Sequence, residues 1–384
     1  MLSGEASADR GTQSPRTEVV GVADRPSPDV TDDVSTSTAE ASRTSRGPGR
    51  DIRSVHVTNG TRQRQWDIVL DMAVLGIDAG GTRTVCLLAD ERETVVASAR
   101  GPGANLQSVG ELEVEKVLHQ VIEDALGETQ VRPSTICLGM AGVDRPGDAD
   151  TIRGILARIG YRARVLVVND ALIALEAGLP GAAGLVIISG TGSIAYGRDG
   201  SGRAARAGGL GHVLSDEGSG YWLGREALRA VVRAADGRGP ATALREPVLA
   251  HFHAGRTAEL LPAIYGSLSR PSTVAAVARL VELAAEAGDA VARRLIHTAA
   301  DELVVMAESV ARQLGLQAPP IVLSGGALHG GQGLRTATET RLAERLPGCS
   351  IRLLEDEPAA GAVRLALAAA AGRPAVPAYV NAVS

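Results

Sequence analysis

Val74-Leu75-Gly76-Ile77-Asp78-Ala79-Gly80-Gly81-Thr82-Arg83-Thr84-Val85-Cys86-Leu87-Leu88 sets a glycine pair between two apolar runs, with an aspartate near the end of the first. Runs rich in Val, Leu and Thr on both sides of a glycine turn predict a pair of antiparallel strands. The turn itself has two readings. Glycines supply the positive φ of tight hairpins. They also let backbone N–H groups close around a phosphate, and a carboxylate beside them suits a divalent cation. The rest of the chain has to separate these readings.

Working outward, residues 83–90 and 94–99 read as two further strands, so three antiparallel strands open the domain. Leu112, Val117, Leu118, Val121, Ile122 and Leu126 recur at helical spacing, and residues 135–140 form a short apolar strand. A helix over 148–159, a strand over 165–168 and a helix from Asp170 complete this unit. The unit then starts again: Leu185-Val186-Ile187-Ile188-Ser189-Gly190-Thr191-Gly192-Ser193-Ile194-Ala195-Tyr196 is another strand, glycine turn and strand, with a further turn at Asp199-Gly200. Such repetition predicts two related lobes facing each other across a cleft. Beyond Tyr221 the pattern is helical, including a long helix over 289–314 with Leu295, Ala299, Leu303, Met306 and Val310 on one face. The apolar run Ile321-Val322-Leu323 then leads into Ser324-Gly325-Gly326-Ala327. A strand over 351–354 and a helix from Pro358 follow.

The 384 residues are 45% hydrophobic and 22% charged, an ordinary globular balance with room for two domains. A net charge of −5 and 2% aromatic residues provide neither a basic field nor stacking platforms, so no nucleic-acid partner is expected. Cys86, Cys137 and Cys349 are far apart and form no CxxC pair, which argues for a reducing compartment and against structural zinc. No apolar run is long enough to cross a membrane and no secretory signal opens the chain, so the expected location is cytoplasmic. Residues 1–71 are dominated by Ser, Thr, Pro, Gly, Arg and Asp and are expected to be a disordered tail. Met72 stands directly before the first strand, which suggests that translation starts there; peptides from before Met72 in the natural protein would disprove it. The expected division is a first lobe over 72–171 and a second over 172–384, with the last helix packing back on the first.

Three glycine turns at strand ends, Gly80-Gly81, Gly190-Thr191-Gly192 and Gly325-Gly326, favour phosphate binding over three coincidental hairpins. In their order they resemble the superfamily of sugar kinases, acetate kinase, heat-shock ATPases and actin. Within it the chain is similar to the BadF/BadG/BcrA/BcrD ATPase family and its N-acetylglucosamine kinases, over about residues 73–371. That resemblance implies an α/β fold of two ribonuclease-H-like (actin-like ATPase) lobes around an ATP cleft. It implies that Gly80, Gly81, Thr82, Gly190, Thr191 and Gly192 bind the ATP phosphates and that Gly325 and Gly326 contact the adenosine. Asp78 would hold Mg2+ through water.

Phosphoryl transfer to a sugar hydroxyl benefits from a carboxylate that accepts its proton. Asp170, at a predicted strand-to-helix boundary, matches the family's catalytic aspartate; an Asp at such a boundary also suits a helix N-cap. The stretch Gly208-Gly209-Leu210-Gly211-His212-Val213-Leu214-Ser215-Asp216-Glu217-Gly218-Ser219-Gly220-Tyr221-Trp222 carries the strongest family likeness. There Asp216 matches a sugar-binding aspartate, and Asp216 or Ser215 alternatively caps the next helix. Asn105, Ser189, Gly190 and Asp170 would also contact the sugar, although Asn105 reads equally as a turn residue. His212 reads as a hydrogen-bonded structural residue, and His251 and His253 as a helix end. Arg83 either steers phosphate or is a solvated strand residue. Animal relatives carry tryptophan where this chain has Leu210, which leaves the identity of the sugar open.

The expected activity is ATP-dependent phosphorylation of an amino sugar, N-acetylglucosamine or glucosamine, at the 6-hydroxyl, with ATP and Mg2+ as cofactors. The partner is then a small-molecule sugar rather than a membrane or nucleic acid, and a homodimer is left open. One alternative is an ATPase that activates a reductase or dehydratase through a shared iron–sulfur cluster, for which the cysteines lack the glycine-flanked pairing. The other is a non-catalytic sugar sensor, for which the tail offers no helix-turn-helix.

Overall fold

The computed structural model describes residues 72–127, 129, 131–143, 146–266, 270–373 and 376–379, so the readings of residues 1–71 lie outside it. Its first unit runs β1 (Ala73–Ala79), β2 (Arg83–Asp90), β3 (Val95–Pro102), α1 (Leu106–Val109), α2 (Glu111–Leu126), β4 (Thr135–Met140), α3 (Pro146–Arg158), β5 (Arg164–Asn169) and α4 (Asp170–Gly178). The sheet order is β3-β2-β1-β4-β5. Short turns join the antiparallel strands β1, β2 and β3, while helical crossovers bring β4 and β5 in parallel to β1. Helices cover both faces of this sheet, and every residue of β1 is buried.

The second unit runs β6 (Gly184–Ser189), β7 (Ser193–Arg198) and β8 (Arg203–Gly208), then α5 (Gly220–Ala235), α6 (Arg245–His251), α7 (Leu260–Tyr265), α8 (Pro271–Ala275), α9 (Ala278–Glu286) and α10 (Ala290–Leu314). It closes with β9 (Pro320–Ser324), α11 (Gly326–Gly330), α12 (Gln332–Arg345), β10 (Ser350–Leu353), α13 (Pro358–Ala370) and β11 (Ala378–Tyr379). The order β10-β9-β6-β7-β8-β11 reproduces the first sheet, with β6 in the place of β1, β9 of β4, β10 of β5 and α13 of α4, and β11 added at the edge. Parallel and antiparallel pairings repeat in the same places.

Five layers result. Leu75, Ile77, Cys86 and Leu88 face α2 and α3 on one side of the first sheet. Val74, Val85 and Leu87, on its other side, share a core with α4, α13 and Val186, Tyr196 and Val322 of the second sheet. Leu185, Ile187 and Leu323 face the outer helices α5 to α12. The two central helices cross at Gly361, where a Cβ would stand 1.9 Å from Ile173 O, a distance only glycine tolerates. Arg364 of α13 donates to the carbonyls of Glu176 and Ala177 at the end of α4. Glu176 in turn pairs with Arg198 of β7 at 2.7 Å, both side chains nearly buried.

Several element boundaries differ from the sequence expectation. Strand β3 continues through Gly101 and Pro102, because Arg83 to Leu88 supply a partner for each residue and Pro102 accepts from the Thr84 hydroxyl at 2.7 Å. Asn169, not Asp170, caps α4: its side chain accepts from Ala171 N–H at 2.9 Å. Likewise Ser219, neither Ser215 nor Asp216, caps α5, through Trp222 N–H. No described helix is long and apolar enough to cross a membrane.

Candidate active site

Strand alternation decides where Asp78 points. Ile77 and Ala79 face the α2–α3 layer, so Val74, Gly76 and Asp78 face the central layer, where α4 begins. Asp170 is the first residue of α4, directly after the N-cap Asn169. Asp78 is 9% exposed. Burial first, and then the negative charge of Asp170, push its carboxyl up to about 7, against the opposing pull of Arg83. Two buried or half-buried carboxylates held this way are a place where a cation relieves both desolvation and repulsion. Above them Glu357 accepts from Arg83 at 3.1 Å and from Arg100 at 2.7 Å, tying the start of α13 to β2 and β3.

The three glycine turns meet at this point. The hydroxyls of Thr82 and Thr191 are 2.9 Å apart, joining the first turn to the second. Gly325 has φ 96° and passes so close to the second turn that a Cβ would lie 2.4 Å from Ser189 O. Gly80 N–H donates to Arg83 O and Gly190 N–H to Gly192 O, so the first glycine of each hairpin closes its own turn. Gly81 and Gly326 have open space where a side chain would begin.

The loop after β8 lies on the second turn. Ser189 Oγ donates to Gly218 O at 2.8 Å and Ser193 Oγ to Glu217 O at 2.6 Å. Ser189 is fully buried, and its hydroxyl holds the loop. Asp216 accepts from Ser193 N–H at 3.2 Å and has φ 66°, a left-handed conformation uncommon outside glycine though less so for Asp. Burial raises its carboxyl above the ordinary range, while the Ser193 N–H and His212 oppose this. Asn105 caps α1 by accepting from Gln107 and Ser108 N–H, and it abuts Gly142. Leu210 is half exposed. A cavity of about 340 Å³ opens here between Gln107 and Ser108 of the first unit and His212, Tyr221 and Pro271 of the second, with the His212 and Tyr221 rings 4.8 Å apart. A larger concavity of about 450 Å³, at the ends of α10 and α12, includes none of the turns or carboxylates.

His251 does end a helix, bonding Thr273 O. Arg83 opens β2 half exposed and ion-paired to Glu357. Cys86 and Cys137 face opposite layers and are fully buried, and burial pushes the Cys86 thiol up to about 12 and Cys137 in the same direction. The contacts of Glu357, Arg100 and His329 were not anticipated. The readable hint was repetition: Glu357 precedes α13 as Asn169 precedes α4.

Residues 75–366 match the BadF/BadG/BcrA/BcrD ATPase family. The chain belongs to that family. This family member is 35% identical over 299 residues to the N-acetylmuramic acid/N-acetylglucosamine kinase of Clostridium acetobutylicum, covering 76% of this chain and 97% of that one. It is 32% identical over 311 residues to the N-acetyl-D-glucosamine kinase of Dictyostelium discoideum, with the same coverage. A solved structure of a candidate N-acetylglucosamine kinase from Chromobacterium violaceum superposes with a TM-score of 0.62 at 27% identity, covering 77% of this chain and 99% of that one.

Proposed function

We propose that this protein is an ATP-dependent kinase that transfers the γ-phosphoryl group to the 6-hydroxyl of an amino sugar. The observation that carries the reading is the placement of Asp170. It is the first residue of α4, beside Asp78 and at the meeting point of the glycine turns. The kinase relatives in Clostridium and Dictyostelium support the same chemistry.

In this reading the sugar hydroxyl gives its proton to an Asp170 carboxylate oxygen as O6 attacks the γ-phosphorus and the bond to the leaving ADP oxygen breaks. Asp78, with Asp170 opposite, fits Mg2+ through water. The ion, when bound, neutralises charge on the β- and γ-phosphates. The tips Gly81-Thr82 and Thr191-Gly192 supply N–H and hydroxyl donors to phosphate, while Gly80 and Gly190 act by shaping the turns. Gly325 and Gly326 line the adenosine side, leaving room for the nucleoside at Gly326. Asp216 and Asn105 hold sugar hydroxyls or the amide, with His212, Tyr221, Gln107 and Ser108 around the substituents. Closure of the units over this cleft excludes water, the competing acceptor. A cytoplasmic location, where ATP is abundant, fits this use.

The test is ADP release measured with glucosamine, N-acetylglucosamine, N-acetylmuramic acid, glucose and no sugar. Release should depend on an amino sugar. ADP production equal in all five reactions refutes the kinase reading in favour of a plain ATPase.

A further inference from the structure

One short piece of backbone is fastened to both sides of the nucleotide cleft. Leu354, just after β10, donates its N–H to Leu323 O of β9 at 2.8 Å, and its carbonyl lies 2.8 Å from His329 Nε2. The same imidazole places Nδ1 2.9 Å from Gly325 O, in the third glycine turn. Three residues beyond Leu354, Glu357 receives Arg83, the neighbour of Thr82 in the first turn, together with Arg100. Three residues span at most about 10 Å. Between the two fastenings Glu355 and Asp356 are exposed, so no side-chain burial holds the segment there. At its end Pro358 sets the entry into α13.

We propose that residues 354–357 are a strap that sets the spacing between the adenosine turn at Gly325 and the phosphate turn at Thr82, with His329 and Glu357 as positioning residues for nucleotide binding. The proposal rests on the reading that those turns hold ATP. Adenosine and triphosphate are one ligand, so they engage both turns at full strength only when the distance between the turns is already correct. Order present before binding is not lost on binding. Neither His329 nor Glu357 has to touch the nucleotide: one, whose backbone N–H already donates to Gly325 O, donates Nε2–H to the Leu354 carbonyl, and the other holds the guanidinium beside Thr82. Leu354 N–H keeps that end on Leu323 O, and the His329 and Glu357 bonds together set the spacing, so losing either side chain removes the effect they share.

The experiment is calorimetric binding of MgATP and of magnesium tripolyphosphate to the full chain, for the wild type, His329→Ala, Glu357→Gln and the double variant. Each single variant should weaken MgATP about fivefold, the scale of one partly exposed polar contact. The double variant should be no weaker than the weaker single one, because one strap is cut twice. Tripolyphosphate, which meets only the phosphate side, should bind all four proteins within about twofold, and melting temperatures should agree within about 3 °C. Unchanged MgATP affinity overturns the strap, as does a double variant whose losses multiply. A parallel change in tripolyphosphate affinity also overturns it, by making Glu357 a local charge effect. Wild-type protein that binds MgATP but transfers no phosphate to sugar defeats the kinase reading and leaves this test intact.

Discussion

Asp78 is close enough to Asp170 to feel its charge, and the proposed function gives the two carboxylates different tasks. Replacing Asp170 with Asn keeps its shape at the start of α4 and removes the proton acceptor. Turnover with the best sugar should fall at least about 100-fold, the usual range for a lost general base, a far larger change than the loss of MgATP affinity. Initial rates and calorimetry check this; near-normal turnover rules out the base. Asp78 makes a pH prediction of definite sign. Its folded-state value of about 7 lies above the ordinary 3.8, so without cation the native protein holds this proton where the unfolded chain has lost it. The associated stability is complete below about pH 4 and is lost as pH rises to about 7. Melting curves in chelator should show that decline in the wild type and a shallower one in Asp78→Asn. Parallel curves for the two proteins contradict a buried, raised Asp78. Saturating MgATP should flatten the wild-type curve as well, since a cation at the carboxylate displaces the proton.

Among the elements, the crossing of α4 and α13 has no spare room. Gly361→Ala should destabilise the protein by about 3 kcal/mol, the upper part of the overpacking range, because the obstruction is the Ile173 carbonyl rather than a movable side chain. Arg198→Met should cost about 3–5 kcal/mol by leaving the Glu176 charge on α4 without its cation. Denaturant unfolding measures both, and a loss under 1 kcal/mol in either contradicts the packing described. These contacts also mark what the sequence could and could not disclose. The β1–β2 hairpin, the second hairpin at Gly190 and the stripe on α10 were legible because their signals lie within a few turns of chain. Strand β8, Arg-Ala-Ala-Arg-Ala-Gly, carries no aliphatic run and is a strand because β7 pairs with it. That Asn169 rather than Asp170 is the N-cap residue of α4 was not legible, since Asn and Asp are equivalent caps and only geometry chooses between neighbours. The grip of Glu357 on Arg83 and Arg100 joins residues 274 and 257 positions apart, beyond any local pattern.

At the scale of the molecule, five layers leave one cleft, with both sheets presenting a glycine turn to it. Hydrogen exchange should therefore slow on adding MgATP at residues 80–82, 190–192 and 325–326, and stay unchanged in the interiors of β1 and β6. Protection appearing instead at the concavity between α10 and α12 would move the nucleotide there. The two sheets are copies in topology, yet the position two residues before the first glycine of the turn is Asp78 in one and Ile188 in the other. A doubled framework with matching residues in both copies would accept a polyphosphate in either orientation. Under the proposed function, a nucleotide turned end for end would meet the aliphatic Ile188 where its cation calls for a carboxylate. In the proposed kinase that difference would give a repeated architecture a direction, with the phosphate-bound cation on the Asp78 side rather than the Ile188 side.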